Sequence, residues 1–121
     1  MKLPREALSR LYNKFKAAID GIIVGLKTDR SIRVQWLIAI AVLVIFFVIS
    51  IEPSDWLWVI LLTGLVVAIE HINSAIEELA DFVEPQYSEH IKRIKDFSSA
   101  AVFILSITSA IVGLIILFKY L

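Results

Sequence analysis

The sequence predicts an all-α membrane protein with three transmembrane helices. Its 121 residues are 59% hydrophobic with a mean hydropathy of +0.82, well above a soluble domain. That apolar character is gathered into three long blocks separated by short charged segments. A chain of this length reads as one domain over 1–121, with an N-terminal helix and elbow at 1–30 and spans at 34–51, 56–80 and 97–118.

Residues 5–27 repeat apolar side chains at Ala7, Leu8, Leu11, Phe15, Ala18, Ile19, Ile22 and Ile23, at helical spacing. Arg10, Lys14 and Lys16 take other faces, so the segment reads as an amphipathic helix lying on the membrane surface. Thr28–Ser31 forms an elbow in which Asp29 or Ser31 can cap the next helix. Val34–Ile51 carries no charge and is just long enough to cross a hydrocarbon core of about 30 Å. Pro53 breaks the chain, and Ser54 or Asp55 can cap the second span. That span is apolar from Trp56 to Ile69 and reaches membrane length only if the polar turns after Glu70 are counted. Glu84-Pro85 ends it, and 86–96 connects to a third span, Phe97–Phe118, whose serines and Gly113 offer small surfaces for helix contact.

Basic residues set the orientation. Lys2, Arg5, Arg10, Lys14, Lys16, Lys27, Arg30 and Arg33 precede the first span, and Lys92, Arg93 and Lys95 lie between the second and third. Glu52–Asp55 has neither Lys nor Arg, so the N-terminus is expected in the cytoplasm and this loop outside. Trp36, Trp56 and Trp58 near span ends fit an aromatic belt, and the late first apolar run argues against a signal peptide.

The zero formal charge, twelve basic against twelve acidic residues, leaves no footprint for nucleic acid. With no cysteine there is no thiolate metal site, and no P-loop, dinucleotide fingerprint or Gly-x-Ser-x-Gly elbow occurs. The informative residues are Glu70, Asn73 and Glu77, which fall within about 60° of one another around a helix. A carboxylate costs ~2.5–3.5 kcal/mol to insert at membrane depth, so two on one stripe with an amide between them mark a functional site. Hard oxygen donors at this spacing suit Mg²⁺, and a carboxyl beside lipid suits a general base. Glu78, Asp81 and Glu84 read as a solvated continuation. Lys95-Asp96 reads equally as a membrane anchor or as part of the site. Asp29 is by default a surface acid, and His71 and His90 lack ligand spacing and read as incidental.

The segment Glu70-His71-Ile72-Asn73-Ser74-Ala75-Ile76-Glu77, with Asp81 and then Lys95-Asp96-Phe97-Ser98-Ser99-Ala100-Ala101-Val102, resembles the prokaryotic integral-membrane diacylglycerol kinases, a family that includes undecaprenol kinases. Gly21, Arg33 and the order of the spans fit as well. The resemblance implies a homotrimer in the bacterial cytoplasmic (inner) membrane that passes the γ-phosphate of MgATP to a lipid hydroxyl. The lipid is diacylglycerol, giving phosphatidic acid, or alternatively undecaprenol, in sites shared between subunits. It makes Glu70 the general base, Glu77 and Asp29 metal ligands, and Asn73, Tyr87, Lys95 and Asp96 nucleotide-binding. It also places Arg10 near nucleotide and lipid, and Ser99 with Glu70 on the lipid side. The family normally has Glu where this chain has Asp29, one methylene shorter. The competing expectation is a non-enzymatic, cation-conducting or scaffold protein, but Trp56–Ile69 offers only Thr63 and Gly64 to such a path.

Overall fold

The computed structural model describes residues 4–121; Met1–Leu3, including the Lys2 of the charge count, lie outside it. Four helices follow one another, α1 (Arg5–Thr28), α2 (Arg30–Ile49), α3 (Pro53–Val83) and α4 (Glu89–Lys119). The last three are long and apolar enough to cross a membrane. At 1.5 Å per residue the 20 residues of α2 just span a hydrocarbon core, whereas the 31 of α3 and of α4 run to about 46 Å. The surplus of α3 and α4 projects together at one end, because five residues at 84–88 join them as an antiparallel pair. That end carries every acid of the polar stripe. Helix α4 begins at Glu89, so the 86–96 connector expected from the sequence is mostly helix.

The elbow is tighter than expected. A single residue, Asp29, separates α1 from α2, and its carboxylate caps α2 by accepting the N–H groups of Ser31 (2.9 Å) and Ile32 (3.3 Å). Arg33 reaches back to the carbonyls of Leu26 and Lys27, satisfying the open end of α1. From Leu8 to Gly21 every residue of α1 is exposed. The helix meets the bundle only near Gly25, where an added Cβ would come within 2.8 Å of Ile32 Cδ1 and 3.1 Å of His71 Cε1. A larger residue at this position would have to displace the Ile32 and His71 side chains.

At the opposite end, Phe46, Ile51, Val59 and Ile116 form the buried core, with Trp56 and Tyr120 packed against it. Here the expected capping of α3 by Ser54 or Asp55 does not occur. Glu52 is the N-cap, Pro53 the first helical residue, and no side chain caps the helix. Asp55 turns inward instead, accepting from Lys119 Nζ (2.9 and 3.1 Å) and from the Tyr120 hydroxyl. Tyr120 in turn accepts the Glu52 N–H at 2.8 Å. A buried carboxylate facing α4 is better satisfied by a cation and a phenol than by its own helix end.

Candidate functional site

The site is built on the projecting part of α3. Glu70 and Asn73 are buried, and Glu77, two turns beyond Glu70, is half-buried. The Asn73 amide is oriented from α4. The Ser98 hydroxyl donates to its Oδ1 at 2.6 Å, which turns Nδ2 toward Glu77 Oε1 at 3.5 Å. Asn73 also lies within hydrogen-bonding reach of Glu70, and the charges of Asp29 and Glu77 act on the same carboxyl. Helical periodicity and the elbow thus bring Asp29, Glu70, Asn73 and Glu77 to one end of the bundle.

Asp29 is tied to α3 directly. Its second carboxylate oxygen accepts from the Ser74 hydroxyl, and this bond, more than its two backbone bonds, holds the carboxyl below its ordinary pKa of 3.8 against the opposing effect of burial. Asp29, Ser74, Glu77 and Asp81 line a cleft of about 510 Å³ between the end of α1 and α3. Glu70 stands roughly 10 Å deeper along α3 than Glu77.

Among the described residues, none of Asp29, Glu70 and Glu77 forms an ion pair. No three acidic or histidine side chains among them converge tightly enough to hold a metal alone. Of the carboxylates that line the cleft, Asp29 and Glu77 are two that carry no ion pair, and they fit Mg²⁺, which commonly takes one or two carboxylates and completes its shell with water and phosphate oxygens. The donors are therefore of the right kind and number for a metal that arrives with a nucleotide.

The other expected residues are more dispersed. Lys95 reaches across to Asp81 at 2.6 Å and so stands at the cleft mouth, but Asp96 turns away and pairs with Lys92 at 2.6 Å. Tyr87 is exposed in the connector between α3 and α4. Arg10 is exposed on α1, its Nε on the Glu6 carbonyl. Ser99 is exposed, while its neighbour Ser98 is the serine that faces α3. Sequence reasoning also passed over His71. Its Nε2 accepts from Trp36 Nε1 at 3.3 Å, so Trp36 is a helix-to-helix contact as well as a residue near a span end. The 3.6-residue period that found the acids also places Ser74 beside His71, but only the register of α3 against α2 and α4 shows what each one meets.

The model of the prokaryotic diacylglycerol kinase family matches residues 16–117. The chain is 30% identical over 112 residues to an undecaprenol kinase of Bacillus subtilis, covering 93% of this chain and 91% of that one. It is 30% identical over 97 residues to a diacylglycerol kinase of Haemophilus influenzae, covering 80% and 82%. A diacylglycerol kinase of Synechocystis is 29% identical over 100 residues, 82% of this chain and 57% of that one.

Proposed function

Because the chain belongs to the prokaryotic diacylglycerol kinase family, and is thus a lipid kinase of the membrane, we propose that it moves the γ-phosphate of ATP to a membrane lipid hydroxyl where α3 and α4 leave the bilayer. The observation that supports this best is the division of the stripe by depth. Glu70 is buried near the apolar part of α3, and Glu77 stands two turns nearer water on a cleft it shares with Asp29. A lipid alcohol reaches Glu70 from the bilayer while a nucleotide enters the cleft. Glu70 accepts the hydroxyl proton, the freed oxygen bonds to the γ-phosphorus, and the bond to the ADP oxygen breaks. Asp29 and Glu77 are the residues that would hold Mg²⁺, which neutralises phosphate charge when bound. Asn73, aligned by Ser98, keeps the two acids in register, and Lys95 leaves Asp81 to meet phosphate oxygens. Tyr87 and Asp96 lie close in sequence to the cleft mouth and contribute once nucleotide is bound, and Ser99 faces the lipid.

The basic residues of α1 and of the first turns of α4, Lys92, Arg93 and Lys95, support a cytoplasmic position for this end, with α1 lying on the inner face of the cytoplasmic membrane. Diacylglycerol is the proposed acceptor. The broad match to an undecaprenol kinase favours undecaprenol as the second reading. A conducting or scaffold role is set aside, since the chain belongs to a family of enzymes. The test supplies purified protein with MgATP and each lipid alcohol in turn. Wild type should phosphorylate at least one, and Glu70→Gln should lower kcat by about 100-fold or more. Equal turnover by the Gln variant would remove Glu70 as base, and no phosphorylated lipid would remove the kinase reading for these acceptors.

A further inference from the structure

We infer that His71 is a positioning residue, latching the elbow that carries Asp29 to the helix that carries Glu70 and Glu77. One imidazole touches three helices. It stands on α3, accepts the indole N–H of Trp36 on α2 at 3.3 Å, and lies against Gly25 on α1, where an added Cβ would meet its Cε1 at 3.1 Å. The two rings meet edge to face, with centroids 6.4 Å apart and planes at 79°. Gly25 precedes the elbow by four residues and Trp36 follows it by seven, so His71 grips the chain on both sides of Asp29. Ser74, one turn further along the same face, holds Asp29 itself.

The chemistry limits what else His71 does. Its Nε2 lone pair accepts from Trp36, so that nitrogen is not free to act as a base or a metal ligand. It lines the same cleft as Asp29, Ser74 and Glu77 without supplying a carboxylate oxygen. Aspartate has a single methylene of reach, so the distance between its oxygens and Glu77 depends on how closely the backbone of the elbow is held to α3. The elbow is one residue long, with α1 beyond it touching little, and would swing if released. On α3, His71 and Ser74 hold the elbow against this swing.

The inference rests on the kinase reading for its metal, and the test separates the two. In a Trp56→Phe/Trp58→Phe background Trp36 is the only tryptophan, and its emission is followed while Mg²⁺ is added with ADP. His71→Phe keeps a ring and loses the acceptor, and His71→Gln keeps an acceptor. Trp36→Phe removes the donor and is tested by turnover. His71→Phe should move the Mg²⁺ midpoint up by about 10-fold, the range seen when an orienting partner of a metal ligand is lost. His71→Phe and Trp36→Phe should raise the KM for MgATP by a similar factor with kcat within about twofold, and His71→Gln should recover most of the loss. The double variant should be no worse than either single one. An unchanged Mg²⁺ midpoint and KM in His71→Phe and Trp36→Phe, even with a lower melting temperature, would reduce the latch to packing and overturn the inference. A Mg²⁺ response from wild type without any lipid phosphorylation would instead count against the kinase reading while leaving the latch standing.

Discussion

Asp29 shows how much a single residue does here. One oxygen caps α2 and the other accepts from Ser74, so the carboxylate that faces the cleft also ties the first two helices to the third. Its pKa is lowered chiefly by Ser74, and the sign of the consequence follows. A carboxyl depressed in the folded state adds stability that is constant above its ordinary value of 3.8, shrinks as pH falls below it, and vanishes once the folded group is protonated. Ser74→Ala should cost about 1 kcal/mol at neutral pH, less than a fully buried charged bond because water still reaches the half-buried carboxylate. In detergent melts the gap between the two proteins should narrow only below about pH 4. A gap that is already closing at pH 6 would place the effect on another group. Glu70, Asn73 and Glu77 were legible at this scale, because one helix sets their common face. Ser98 and His71 were not: an isolated serine or histidine in a helix has no visible partner until the neighbouring helices are placed.

At the scale of the elements, the length of α3 follows from the sequence once the polar turns after Glu70 are read as helix, whereas α4 begins eight residues before the span expected at 97–118. The ends were read less well, because capping competes with tertiary contact. Asp29 caps as expected, since its neighbours leave it at a helix junction. Asp55 does not, since α4 brings Lys119 and Tyr120 to it. This junction fastens α3 to α4 at the end remote from the site, with Tyr120 bridging on to the backbone of Glu52. Asp55→Ala would leave Lys119 without its carboxylate partner and both groups without their shared acceptor. It should lower the melting temperature clearly while KM for MgATP and for lipid stay within about twofold, since no cleft residue is touched. A rise in KM without loss of stability would show that the far end controls the site.

For the whole molecule, the arrangement of α1 bears on how many chains make one site. Arg10 stands fifteen residues before Gly25, where α1 meets the bundle, or roughly 22 Å along the helix axis. With every residue from Leu8 to Gly21 exposed, nothing folds it back over its own cleft. An Arg10 that serves nucleotide and lipid would then serve those of a neighbouring subunit, as in the homotrimer that the family resemblance implies. The membrane-facing helices point the same way, since between 6% and 22% of each span is buried within one chain and much apolar surface is left to other copies and to lipid. The sequence supplied the basic residue and the surface helix, but the distance between Arg10 and the acids appears only when α1 is seen to leave the bundle. Arg10→Ala and Glu70→Gln should each be weak or inactive alone. Unfolded, mixed and reassembled in one micelle, they should recover activity, because some trimers then pair an intact Arg10 with an intact Glu70 from another chain. Recovery should rise with the fraction of mixed trimers and be absent when the variants are reassembled separately. If mixing never exceeds the sum of the separate activities, Arg10 and Glu70 act within one chain, and α1 would have to fold back over its own bundle when nucleotide binds.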